Sequence, residues 1–237
     1  MEAHIAINRH RINVAMRLLP LSAINARDIG DTTPLLLAVS IKSYELVESM
    51  LRMPGLDVNA VSAGSLTAFV KCGRLGNLPL AQLLSRHRHI DINHDGDRNH
   101  QGYTGKACVH EAAANGSVHL IMFLIQSGAL ISTRDVNGWT PLHHGVANRR
   151  IAVIKLLLDN LSLPAIQTES LEGVTPLMLA LELKYYEIAR MIESKSPPLN
   201  HRVHMRLPPH QGAPLYGHGQ YPARIQRQPM FPGQPWS

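Results

Sequence analysis

The sequence predicts an all-α solenoid, a stack of helix-turn-helix units, ending in a C-terminal tail that stays disordered. Three observations carry this expectation. A segment of about 35 residues recurs five times along the chain, the mark of a repeat architecture. Inside each copy the apolar residues follow a helical period rather than strict alternation. After Ser194 the apolar periodicity stops, and proline, glutamine, glycine and histidine take over.

Residues 1–24 read as a half-unit cap, because "HRINVAMRLL" ends in the apolar stripe of the later copies and runs into "INARD". The first full unit, "TTPLLLAVSIKSYELVESML", begins at Thr32. Thr33 suits an N-cap, where its hydroxyl accepts from an orphan amide, and Pro34 suits the next position, where a missing N–H costs nothing. Ala38 lets two antiparallel helices approach, and Leu46, Val47, Met50 and Leu51 form the stripe of the second helix.

The second unit, "LTAFVKCGRLGNLPLAQLL", keeps Thr67 at the cap, Gly76 in the turn and Leu80, Leu83 and Leu84 on the stripe. The third runs from Ala107, with Cys108 in place of the proline, Gly116 in the turn and Leu120, Ile121, Leu124 and Ile125 behind it. In the fourth, "GWTPLHHGVANRRIAVIKLLL", Thr140-Pro141 opens the first helix, Gly145 is the small residue, and Val153, Ile154, Leu157 and Leu158 make the stripe. "GVTPLMLALELKYYEIARMI" closes the series with Thr175 and Ala180. The cap positions 33, 67, 107, 140 and 175 lie 34, 40, 33 and 35 residues apart. A unit of this size has one apolar face too many and must stack on its neighbours. The second and third copies depart furthest from the pattern, at Lys71-Cys72-Gly73 and at Cys108, and are expected to be looser.

Thr140-Pro141-Leu142-His143, with Asn137-Gly138 before it and Asp135 before that, resembles the ankyrin repeat, whose signature is T-P-L-H-x-A. The resemblance spans residues 3–195 and implies about five repeats over 25–195. It also implies a non-catalytic protein-protein interaction module or adaptor that holds a protein partner on its concave surface. In such stacks the turn tips and the outward residues of each first helix line that surface. This places Trp139 at a tip, His144 and Asn148 on the following helix, Glu111 and Asn115 one repeat earlier, and Lys71 and Arg74 before those. Trp139 is expected to be a solvent-exposed aromatic of the kind that makes interface hot spots. His110 and His143 fall on the motif's histidine, whose implied role is to tie neighbouring turns together. His144 is expected to point toward the open surface.

The 40-residue spacing marks an insertion near residues 94–104. Running into it, Asp91, Asn93, Asp95 and Gly96 match the first half of a calcium loop, D-x-[DN]-x-[DN]-G. The match ends there: the closing position falls on Gly102, where a bidentate glutamate is needed. His87, His89, His94 and His100 crowd the same stretch without a cysteine or a helical i, i+4 pair, so no metal site is expected. "DIN" at Asp91 repeats "DVN" at Asp57, the end of one unit, and the rest reads as a polar loop.

Other chemistry is sparse. Cys72 falls in an alanine slot between helices and reads as an inert buried thiol. Cys108 lies at a helix start, a place that stabilises a thiolate, with no base beside it. "GRLGN" at Gly73 is not followed by Lys-Ser/Thr and is a turn rather than a phosphate loop. No catalytic residues, metal or cofactor are expected.

Of the formal charge of +6, the tail from 196 to 237 supplies four arginines and no acid, leaving the repeats near neutral. That tail holds nine of the sixteen prolines and too little apolar surface to fold. A nucleic-acid-associated or transcriptional regulator, contacting nucleic acid through the basic tail, is the alternative function. Two cysteines exclude a disulfide framework, the first twenty residues lack a signal-peptide core, and no membrane span is present in the pattern. The expectation is an intracellular monomer, in cytoplasm or nucleus.

Overall fold

The structure is a computed structural model that describes residues 2–9, 12–19, 24–62, 64, 66–96 and 102–196. Every regular element among them is helical, apart from one isolated bridge between Ser62 and Leu66. Five helix pairs fill the units read from the sequence: α3 (Pro34–Ser40) with α4 (Tyr44–Leu51), α5 (Ala68–Leu75) with α6 (Leu78–Ser85), α7 (Cys108–Asn115) with α8 (Val118–Gln126), α9 (Pro141–Ala147) with α10 (Ile151–Asn160), and α12 (Pro176–Glu182) with α13 (Tyr186–Lys195). Ahead of them stand α1 (Glu2–Asn8) and α2 (Ile12–Leu18), so a first helix precedes the half-copy visible in the sequence. A short helix, α11 (Leu163–Ile166), follows α10 and has no counterpart in the other units.

The expected caps are in place. Thr33, Thr67, Thr140 and Thr175 have extended backbones, and each hydroxyl accepts from the backbone N–H three residues on. Ala107 has the same backbone conformation without the hydroxyl, so α7 begins without that bond.

The first helices form one row, in which α1, α3, α5, α7, α9 and α12 each touch the next. The second helices, α2, α4, α6, α8, α10 and α13, form another. The core lies between the rows. It holds the sequence's stripes, with Leu46, Met50, Leu80, Leu84, Leu120, Ile121, Leu124 and Ile154 fully buried.

The atypical second and third units are not loose. Cys72 and Cys108 are completely buried. A side chain at Gly73 would run into the Cys108 carbonyl oxygen and lie 3.1 Å from its Sγ. The glycine that breaks the alanine pattern therefore lets α5 and α7 meet closely, and the small thiols fill the seam. Gly73→Ala is expected to cost about 1–3 kcal/mol through overpacking. Chemical denaturation checks this, because Ala is otherwise the better helix former and an unstrained site would gain stability.

Loops between units are held by an asparagine ladder. The Asn25 carboxamide accepts from Asp57 N (2.9 Å) and donates to Gly55 O (2.7 Å). Asn59 does the same to Asp91 N (3.0 Å) and His89 O (2.7 Å), and Asn93 accepts from Leu130 N (2.8 Å). The calcium-like residues thus have structural work. The Asp91 carboxylate accepts from Asn93 N and that of Asp95 from the Tyr103 hydroxyl. Residues 97–101 of the insertion, and the tail from 197, lie outside the described residues.

Candidate functional site

Four of the first helices, α3, α5, α9 and α12, are entered through a tight finger. Asp28, Ser62, Asp135 and Ser170, each five residues before the capping threonine, pair backbone to backbone across the finger with Thr32, Leu66, Trp139 and Val174. Side chains reinforce the turn: Asp28 Oδ1 accepts from Gly30 N and Thr32 N, Asp135 Oδ1 from Asn137 N and Trp139 N, and Ser170 Oγ from Glu172 N and Val174 N. Asx and Ser/Thr turns of this kind substitute a side-chain oxygen for a backbone carbonyl. Neighbouring fingers are stitched together by Val136 N to Thr104 O (3.1 Å) and Leu171 N to Asn137 O (2.9 Å).

Histidines tie helix to finger as expected. His143 Nε2 donates to Val174 O (2.9 Å) while its Nδ1 accepts from Thr140 N (3.1 Å). His110 Nε2 donates to Thr133 O (3.1 Å), with Nδ1 accepting from Ala107 N (3.1 Å). His4 bonds Thr32 O in the same manner at 3.0 Å. The sequence reading missed His4, because no Thr-Pro precedes it; its place at the start of an apolar helix was the available signal.

Two expectations about exposure are corrected. Trp139 is only 9% exposed, its ring centroid 5.3 Å from that of His144 and 5.8 Å from that of His143. His144 is 5% exposed and, far from facing solvent, donates from Nε2 to Asp135 Oδ2 at 2.9 Å. The finger folds back on the first turn of α9, so Asp135 and Trp139 come to lie against the helix residue that spacing alone would leave outside.

Burial lowers the pKa of His144, and Asp135 only partly opposes this. For Asp135, burial alone would raise the carboxyl, but the His144 hydrogen bond and the Trp139 N–H bring it below its ordinary value. The pair is a neutral imidazole donating to a carboxylate. Burial takes His110 and His143 down to about 4. Asp135→Asn is expected to cost about 1.5–3 kcal/mol, the scale of hydrogen bonds to charged groups. The same variant should change the His144 tautomer, a shift read from imidazole nitrogen resonances; an unchanged tautomer and stability would show that the bond carries no weight.

The remaining candidates share the first-helix row. Arg74 forks onto Glu111, Nε to Oε2 at 3.3 Å and Nη2 to Oε1 at 3.1 Å, with the arginine half exposed and the glutamate nearly covered. Burial would raise the Glu111 carboxyl, yet the Arg74 guanidinium brings it below its usual value. Asn115 Nδ2 donates to Arg74 O, linking the same two units, and Asn148 Nδ2 donates to His144 O. Lys71 is half-buried one helical turn from Arg74. The structure therefore puts Lys71, Arg74, Asn115 and Asn148 along the first-helix row, with Glu111 nearly covered and His144 and Trp139 buried beneath.

Burial also pushes the Cys108 thiol well above its ordinary value, so the helix start does not make it a thiolate; Cys72 is pushed up to about 12. Among the described residues no group of three His, Cys, Asp or Glu is placed to hold a metal ion, and no helix is long and apolar enough to cross a membrane.

Stacked helix pairs joined through hydrogen-bonded fingers define a repeat scaffold. A profile for ankyrin repeats (3 copies) matches residues 69–169 and 109–201, more than half of the chain. The chain belongs to the ankyrin-repeat family. The ankyrin repeat protein FPV031 of Fowlpox virus (strain NVSL) is 29% identical over 170 residues, 69% of this chain and 48% of that protein. Protein phosphatase 1 regulatory subunit 12A of Mus musculus is 28% identical over 117 residues, 49% of this chain and 10% of that one. The chain thus spans about a tenth of the mammalian relative and about half of the viral one. A crystal structure of an ankyrin repeat domain from Acinetobacter baumannii AYE superposes with a TM-score of 0.68 at 23% identity, covering 82% of this chain and 97% of that one. Ankyrin repeats generally mediate protein-protein interactions, and the fold is a non-catalytic scaffold.

Proposed function

We propose that this chain is an adaptor that binds a protein partner along the face lined by its first helices and finger tips. The observation that supports it most is the continuity of that face: Arg74, Glu111 and Asn115 interlock across two units, and Arg150 joins the second of these to the next through Ala114 O. Solenoids use such extended surfaces for recognition. Lys71, Arg74, Asn115 and Asn148 offer accessible polar contacts there. Trp139 and His144, being buried, shape the finger that carries the partner's contacts rather than meeting the partner themselves. We place the protein inside the cell, as a monomer in cytoplasm or nucleus.

Position-specific photo-crosslinking tests the reading. A crosslinker replacing Asn148 is expected to trap a protein in cells, and one replacing Lys155, on the exposed side of α10, is expected to trap none. Equal trapping from both positions, or trapping from Lys155 alone, would move the interface to the second-helix row.

A further inference from the structure

The charges of the described residues are unevenly distributed between the two rows. In the second helices acids outnumber bases by one, with Glu45, Glu48, Asp159, Glu187 and Glu193 against Arg17, Lys155, Arg190 and Lys195. The first-helix face from α5 to the start of α10 has the opposite balance: Lys71, Arg74, Lys106, Arg149 and Arg150. Two carboxylates lie among them, and both are engaged. Glu111 is gripped by Arg74, and Asp135 is buried under His144. Glu182, seven residues after Thr175 as Arg74 is after Thr67, bounds the patch one unit further on.

These cations belong to one surface. The Lys106 ammonium lies close enough to act on Glu111 and His144. Arg150 reaches back across the unit boundary to donate from Nε to Ala114 O at 2.9 Å, and the missing side chain of Gly116 makes the room: a Cβ there would sit 2.8 Å from Arg150 Cδ. The Arg149 guanidinium lies over the Tyr185 ring, 5.6 Å from its centroid. Among the described residues Lys71 and Lys106 make no ion pair.

The backbone sets one of these cations apart. At the turn between paired helices, units two and three use Gly76 (φ 63°) and Gly116 (φ 89°), the residue that takes a left-handed conformation freely. The other three units place Lys42 (φ 58°), Arg149 (φ 53°) and Lys184 (φ 59°) there. A side chain in this region is held against its conformational preference, and such strain collects where a function needs it. All three are cations, and Arg149 is the one that belongs to this patch; the fourth residue with such a backbone, Asp31, lies in a finger.

We propose that this basic face receives an extended acidic segment of a partner protein, Asp- and Glu-rich, whose carboxylates meet Lys71, Lys106, Arg74 and the Arg149–Arg150 pair. The proposal rests on the first-helix face being the binding face and specifies what it binds. Carboxylates fit better than a nucleic-acid strand, because sequence-tolerant strand binding adds aromatic platforms for the bases. Here Trp139 is buried and Tyr185 already lies under Arg149.

The test uses the full chain and two labelled probes followed by fluorescence anisotropy: a peptide of Glu alternating with Gly, and its counterpart with Gln for Glu. The wild type is expected to prefer the Glu peptide by at least tenfold at low ionic strength, less so as salt screens the charges. Lys71→Glu with Lys106→Glu should abolish that preference, Lys71→Arg with Lys106→Arg should retain it, and Lys155→Glu on the opposite row should leave it unchanged. If the reversed pair lowers the melting temperature, Lys71→Gln with Lys106→Gln replaces it, with a severalfold loss expected. No preference in the wild type, or an equal loss in Lys155→Glu, overturns the proposal. So does oligothymidylate of the same charge if it binds at least as tightly and is lost in the same double variant. Where the peptide shows no preference while the crosslinker at Asn148 still traps a protein, the face stands and the acidic partner falls.

Discussion

Lowering the pH from 7 to 4.5 is expected to remove about 5 kcal/mol of stability, most of it above the range where carboxylates titrate. The cause is the pair of buried imidazoles that lock helices to fingers. His110 and His143 titrate near 4 in the folded protein, while an unfolded histidine titrates near 6.5. Between these values the unfolded chain holds protons that the folded chain refuses, so stability falls as pH drops, by about 1.36 kcal/mol per unit for each histidine. Hydrogen-bond geometry gives a reason beyond burial. Each Nδ1 faces a backbone N–H, from Ala107 or from Thr140, and a protonated ring would set donor against donor. His144, shifted in the same direction, adds to the slope. Asp135 and Glu111 are depressed, so their contribution is present above the ordinary carboxylate range and is lost only at still lower pH. Denaturant titrations at pH 7, 5.5 and 4.5 check this. His143→Gln should flatten the curve by about one proton's worth, and a wild-type stability constant down to pH 4.5 would mean that the imidazoles protonate in place.

Trp139→Ala is expected to cost about 3–5 kcal/mol, the range for truncating a buried aromatic. The indole lies over the His143 and His144 rings, and its backbone closes the finger through Trp139 N to Asp135 Oδ1 and Asp135 N to Trp139 O, both 2.9 Å. Removing the ring opens a cavity and admits water to the Asp135–His144 bond at the same time. The melting temperature should fall by about 10 °C, judged from the usual scale for a chain of this size. Trp139→Phe should recover most of the loss. An unchanged melting temperature together with lost crosslinking from Asn148 would instead place the indole in the partner's contact surface.

Most of the scaffold was legible in the residues themselves. Thr33, Thr67, Thr140 and Thr175 announced helix starts because a hydroxyl acceptor, and in three cases a following proline, suits only that position. The leucine and isoleucine stripes announced the buried side because period fixes which residues share a face. The role of His143 could be read from its place in the motif. Asp28, Ser62 and Ser170, five residues ahead of their threonines as Asp135 is ahead of Thr140, held a finger signal that went unread.

The candidate site was less legible. Sequence spacing put Lys71, Arg74, Asn115 and Asn148 on the accessible first-helix side, which follows from helical period and stacking order, but Glu111 is as covered as Trp139. Spacing failed at Trp139 and His144, whose burial depends on a finger folding back over its own helix. It also misjudged the second and third units, where Gly73 and Cys108 look like damage to a motif until α5 and α7 are seen to meet there.

By itself, then, the sequence determined the repeat, its helix starts, its apolar stripes and the order of the stack, because each depends on residues close together in the chain. Only the tertiary structure decided which polar side chains are spent internally. The Arg74–Glu111 fork spans 37 residues, the Arg150 bond to Ala114 spans 36, and the Asn93 bond to Leu130 spans 37. Partners that distant are set by how units stack, and a local pattern carries no record of which neighbour a side chain will meet.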